Sequence, residues 1–151
     1  PINISPALFD ASSNPTQAEL IAKLHTYSNL ILWLSGHVHR NQVTPLLSPD
    51  PSHPEFGFWE VETGSLRDFP QSFRMFDIVR NSDNTISIFA TNVNPYVTSG
   101  SPAAKSRSYS IAASQVFIDN RVPQVYVPTG VYNAELVKQL SPEMQEKIKN
   151  Y

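Results

Sequence analysis

Two hydrophobic periods succeed each other along the chain. From Asn14-Pro15-Thr16-Gln17, where Asn14 is placed to cap the Gln17 amide and Pro15 suits the first helical position, Leu20, Ile21, Leu24 and Tyr27 recur at helical spacing. Glu19 and Lys23 stand four apart on the other side, and the pattern predicts a helix ending near Ser28-Asn29. Leu30-Ile31-Leu32-Trp33-Leu34 is then an unbroken apolar run, too short for a core helix and typical of a strand buried on both faces. Thr44 to Pro54 holds four prolines without periodicity and reads as loop, whereas Phe56 to Val61 resumes as strand before a turn at Gly64-Ser65. Phe73 to Val79 and Thr85 to Ala90 flank Asn81-Ser82-Asp83-Asn84, which predicts a hairpin with Ile86, Ile88 and Ala90 on its more buried face.

Beyond the hairpin the pattern weakens. Asn94 to Ser114 is rich in Pro, Ser, Ala and Gly and reads as an extended wrap or linker. Val116-Phe117-Ile118 and Val125-Tyr126-Val127 are candidates for short strands. From Asn133 onward, Leu136, Leu140, Met144 and Ile148 fall four apart, and Ser141-Pro142 restarts the helix as cap and first residue, which predicts a helical tail.

Composition bounds what this pattern can be. The 151 residues suffice for one core, read as a main portion over residues 1–94 with residues 95–151 as wrap and tail of the same domain. A formal charge of −2 without a basic cluster argues against nucleic acid as a partner, and no apolar run is long enough for a membrane span. Cysteine is absent, so any metal must be held by nitrogen and oxygen ligands. Pro1-Ile2-Asn3 begins without Met or a signal-like stretch, which reads as a chain cut from something longer. The compartment is left open.

The chemistry concentrates in Ser35-Gly36-His37-Val38-His39-Arg40, directly after the apolar run. A buried strand fixes the entry to this loop, Gly36 lets the backbone turn, and imidazoles two residues apart can reach neighbouring coordination positions of zinc, manganese or iron. Against this stands the reading of His37 and His39 as ordinary hydrogen-bonded loop residues. Gln42, Val43 and Thr44 lack the Glu a cupin requires, and Arg40-Asn41 replaces the Asp-His of a metallo-β-lactamase.

The segment resembles the last motif of the calcineurin-like metallophosphoesterases, Gly-His-x-His at the end of a buried strand preceded by a helix. Glu62-Thr63-Gly64-Ser65-Leu66 and the hairpin from Phe73 to Thr91 are similar to the later strands of that fold, and the hairpin and tail are most similar to a little-characterised prokaryotic branch. The resemblance implies an α/β fold: part of a four-layer αββα sandwich with mixed strands, an antiparallel hairpin and C-terminal helices. It further implies two divalent metal ions, Mn, Fe or Zn, bridged by a carboxylate and by a hydroxide that attacks phosphorus. His37 would bind one ion and His39 the other. The family's earlier motifs, Asp-x-His, Gly-Asp-x-x-Asp and Gly-Asn-His, are not found in the chain, and two histidines cannot hold two ions. The expectation is therefore the C-terminal segment of a phosphomonoesterase or phosphodiesterase, with weak metal binding and no activity alone. Its partners would be the missing N-terminal part of the same enzyme and a phosphate ester substrate. The alternative is a binding or structural domain in which the histidine pair is incidental.

Arg40 follows the implied ligands and is the candidate for a substrate phosphate, since a guanidinium binds phosphate oxygens in pairs; a salt-bridged loop arginine is the competing reading. Ser65, Arg67 and Asp68 form a loop that can offer polar contacts near the site. His25 reads as a packing residue of the first helix, His53 as a loop residue without a nearby partner, and Trp33 and Trp59 as core.

Overall fold

Thr16, not Asn14, starts the first helix. In the computed structural model, which describes residues 15–37, 39–119 and 133–149, the Thr16 hydroxyl accepts from the Glu19 amide at 3.2 Å. The Glu19 carboxylate accepts in return from the Thr16 amide at 2.7 Å, so α1 (Gln17–Leu24) opens in a capping box two residues later than a cap at Asn14 would place it. Asn14 itself lies outside the described residues. With Glu19 committed to the cap, its expected pairing with Lys23 is replaced by a Lys23 ammonium 5.5 Å above the Tyr27 ring. The helix closes at Leu24 with His25 as C-cap, short of Ser28-Asn29.

The apolar run after α1 enters β1 (Leu32–Ser35), which pairs in parallel with β3 (Phe58–Glu62), while β2 (Gln42–Leu46) pairs with β3 antiparallel. The order β1-β3-β2 leaves β1 at an edge, and Leu34 is 58% exposed there, so β1 is not buried on both faces as its composition suggests. β2 likewise corrects the expected loop from Thr44. Pro45 stands opposite Trp59 within the strand, and an edge tolerates proline because one row of its backbone groups has no ladder partner to lose. A single 3-10 turn over Pro54–Phe56 leads into β3.

The predicted hairpin forms the second sheet. β4 (Phe73–Arg80) and β5 (Thr85–Val93) pair antiparallel, and the turn is closed by the Asn81 amide donating to the Thr85 carbonyl at 2.9 Å, with Asn84 in the left-handed region at φ 63°. Ile86, Ile88 and Ala90 are buried as the alternation requires.

Two elements differ from their sequence signals. Residues Pro102–Asp119 form a helix, α2, where an extended wrap was expected, and Val116-Phe117-Ile118 belongs to it rather than to a strand. Three of its serines turn their hydroxyls back on the helix: Ser108 donates to Ala104, Ser110 to Arg107 and Ser114 to Ile111. The second departure is the tail, where Ala134–Gln139 is a strand, β6, antiparallel to β5; only Pro142–Lys149 is helical, as α3. Leu136 and Leu140 therefore point inward with a period of two, not four. The restart at Ser141-Pro142 holds, with the Ser141 hydroxyl accepting from the Met144 amide at 3.3 Å. Val125-Tyr126-Val127 lies outside the described residues.

The molecule is thus mixed α/β, with two small sheets, β1-β3-β2 and β4-β5-β6, and three helices among the described residues. The sheets face each other across Val61 of β3, Ile86 and Ile88 of β5, Leu136 of β6, and Leu140, with Leu32, Val43, Trp59 and Phe76 packed around them. Trp59 also donates its indole N–H to the Val137 carbonyl at 3.0 Å, tying one sheet to the other. Each large aliphatic side chain buried in this way contributes roughly 1.5–3 kcal/mol, so the sandwich is the rigid part on which the loops are mounted. No helix among the described residues is long and apolar enough to cross a membrane.

Candidate functional site

The loop that carries the two histidines leaves β1 at Ser35, whose carbonyl accepts from the Thr63 amide at 3.1 Å and whose hydroxyl donates to Glu60 at 2.9 Å. Beyond Gly36 the chain turns sharply. Both His37 (φ 82°) and His39 (φ 60°) occupy the left-handed backbone region, an uncommon conformation for residues with a Cβ that persists only where the surroundings enforce it. Two such residues therefore stand in one short loop at the end of a strand.

A second loop holds the first. Asn41 Oδ1 accepts from the Gly64 amide at 2.9 Å, fixing the exit of the histidine loop to the turn after β3. A side chain on Gly64 would come within 3.4 Å of Asn41 and 3.6 Å of the Ser72 hydroxyl, so the two loops approach closely. Past Gly64, the Ser65 hydroxyl accepts from the Arg67 amide at 2.9 Å and the Asp68 carbonyl from the Gln71 amide at 2.7 Å.

That turn brings Asp68 to His39. The Asp68 carboxylate accepts a hydrogen bond from Nδ1 of His39, which fixes the tautomer and leaves Nε2 as the nitrogen with a lone pair. The imidazole is about one third exposed, as is the carboxylate. His37 is exposed and has no hydrogen bond among the described residues.

Arg40 turns back instead. Its Nε donates to Oε2 of Glu62 at 3.2 Å, and Glu62 is only 3% exposed, so a buried carboxylate anchors the guanidinium beside the histidine loop. The other oxygen, Glu62 Oε1, is buried without a partner among the described residues, as are the Ser72 hydroxyl and the side-chain amide of Asn92. Buried polar atoms of this kind cost roughly 1–3 kcal/mol each when unpaired, and they mark where further polar contacts fit.

The donors present suit a borderline divalent ion, since an imidazole whose Nδ1–H is held by a carboxylate is the usual form of a histidine ligand. Their number falls short. Among the described residues no three His, Asp or Glu side chains come together as a metal-holding group, so these residues cannot by themselves hold a dinuclear centre.

The remaining histidines take other parts. Nδ1 of His25 lies 2.9 Å from the Phe56 carbonyl and its ring 5.3 Å from Phe58, a packing role as its sequence position suggests. His53, expected to lack a partner, pairs with Glu55 at 3.0 Å; the hydrogen bond to that carboxylate raises its pKa. Sequence reasoning singled out His37, His39, Arg40 and the Asp68 loop but gave no sign that Asp68 meets His39. It missed Asn41 and Glu62 altogether. The one signal for Glu62 was a carboxylate in an otherwise apolar, β-branched run, which must find a partner when the strand is buried.

Comparison with family models, with curated proteins and with solved structures finds no match to the chain.

Proposed function

We propose that this chain is the C-terminal segment of a dinuclear metal-dependent phosphoesterase, part of a four-layer αββα sandwich, and that it contributes His37 and His39 as metal ligands. The observation that carries the reading is the Asp68–His39 contact: a carboxylate holds Nδ1, and Nε2 is left to coordinate, next to His37 on a strained loop at a strand end. The Gly36-His37-Val38-His39 pattern and its resemblance to the calcineurin-like metallophosphoesterases supply the reaction class.

In this reading the missing N-terminal part of the same enzyme provides the remaining ligands. In the assembled enzyme the metal ions would supply Lewis acidity toward a phosphate ester. This chain's own residues position the site: Asp68 orients His39, Asn41 joins the two loops through Gly64, and Glu62 fixes the direction of Arg40, whose guanidinium is free at its Nη edge to meet a phosphate oxygen.

The test is hydrolysis of p-nitrophenyl phosphate and bis-p-nitrophenyl phosphate with manganese, comparing this chain with the product of its complete gene. The expected result is activity only in the complete product, lost by at least a hundredfold in His37→Ala. Activity of the complete product that survives both His37→Ala and His39→Ala, or His37-dependent activity of this chain alone, would overturn the proposal.

A further inference from the structure

Beside the His39–Asp68 pair a cleft of about 680 Å³ opens between the 66–70 loop and the first half of α2. The α2 residues that line it, among them Lys105, Ser106, Tyr109 and Ser110, recur at helical spacing and form one face. A helix that merely packs turns an apolar stripe inward. This one presents an amine, hydroxyls and a phenol.

The helix is tied in place there, since Gln71 donates its side-chain amide to the Ser106 hydroxyl at 3.1 Å and the Arg107 guanidinium lies 5.8 Å from the Phe69 ring. Lys105 and Tyr109 are not consumed by that docking. Their side chains meet each other, the ammonium 5.7 Å from the ring centroid, and neither side chain has an ion pair or hydrogen bond among the described residues. Across the cleft stands Arg67, whose nearest carboxylate is Asp68 at a loose 3.9 Å, and Asp68 is already engaged by His39. Two cations thus border the cleft against one carboxylate that is already paired.

We propose that this cleft binds an organic phosphate whose organic part is a planar aromatic ring: Lys105 and Arg67 meet the phosphate oxygens, and the ring lies against Tyr109. The volume exceeds what inorganic phosphate fills, and the exposed Tyr109 ring supplies a stacking surface. The orientation, with phosphorus toward His39, rests on the phosphoesterase reading; occupancy of the cleft does not.

Binding of phenyl phosphate and of inorganic phosphate to the 151-residue chain, followed by amide NMR in EDTA, tests this without metal. Phenyl phosphate is expected to shift the amides of residues 66–69 and 105–110. Tyr109→Ala should weaken phenyl phosphate by about three- to tenfold and leave inorganic phosphate unchanged, because only the ring contact is removed. Lys105→Ala should weaken both, with Lys105→Arg restoring them. Both positions lie on the exposed surface of α2, and unchanged circular dichroism confirms folding. Shifts outside the cleft, or wild-type affinity for phenyl phosphate in either Tyr109→Ala or Lys105→Ala, would overturn the proposal. Phenyl phosphate binding here combined with His37-independent activity of the complete gene product would remove the enzyme reading and leave the cleft standing.

Discussion

Nδ1 of His39 and the carboxylate of Asp68 meet across a separation of 29 residues, each side chain brought in by its own turn at the same end of the sandwich. Both groups are about one third exposed, so screening keeps their contribution to stability small. Their contact fixes which imidazole nitrogen keeps a lone pair, and that decides the histidine's chemistry. Asp68→Ala should therefore leave the melting temperature within about 2 °C while weakening manganese affinity by roughly 10–100-fold. Calorimetry and metal titration on the same samples check both parts.

Lys138 offers a pH-dependent test of the core. Its ammonium is buried and donates to the carbonyls of Glu55 at 2.6 Å and Gly57 at 2.7 Å, and burial lowers its pKa from 10.5 to about 8. A lysine whose folded pKa lies below its unfolded one binds fewer protons when folded, so stability rises with pH between about 8 and 10.5 and is lost again as pH falls through 8. The difference in unfolding free energy between the wild type and Lys138→Met, which keeps the stem but cannot titrate, should grow in favour of the wild type across that window. A flat difference would place the lysine's pKa near its ordinary value.

Ile88 sits fully buried where β5 faces the other sheet. Ile88→Ala removes its apolar contacts and leaves a cavity, an expected loss of about 2–5 kcal/mol in denaturant unfolding. The exposed Ile78, opposite it across the β4–β5 ladder, should cost less than about 1 kcal/mol on the same change.

Gly57 is required for a close approach. A Cβ there would lie 3.1 Å from the Ser48 amide nitrogen and 3.2 Å from the Leu46 carbonyl oxygen, both backbone atoms that cannot swing aside. Gly57→Ala should destabilise by roughly 1–3 kcal/mol, read as a shift in denaturant midpoint without a change in slope.

The parts of this fold that were legible in the sequence are those where local pattern and tertiary setting agree. The β4–β5 hairpin is one, because Asn81 to Asn84 demand a turn and the alternation in Thr85 to Ala90 matches a one-sided core. α2 was hidden because its serines and alanines carry no apolar stripe; it is held by docking through Ser106 and Arg107, which is not visible as periodicity. β6 was misread because Leu136, Leu140, Met144 and Ile148 keep a four-residue spacing by coincidence, and strand pairing with β5 overrides it. Pro45 masked β2 because proline's restriction applies to central strands and β2 lies at an edge. Within the site, the histidine loop was legible as a short motif. The pairings of Asp68, Glu62 and Asn41 were not, since their partners lie 22 to 29 residues away and only the folded sheet brings them together.

The most direct measurement is a ¹⁵N imidazole NMR spectrum of the chain during titration with substoichiometric Mn²⁺, in which the four histidines serve as one another's controls. The expected result is selective paramagnetic broadening of His37 and of Nε2 of His39, with His25 and His53 unaffected and with the His39 effect weakened in Asp68→Ala. Equal broadening of all four histidines, or broadening centred on His53 and Glu55, would contradict the assignment of His37 and His39 as metal ligands.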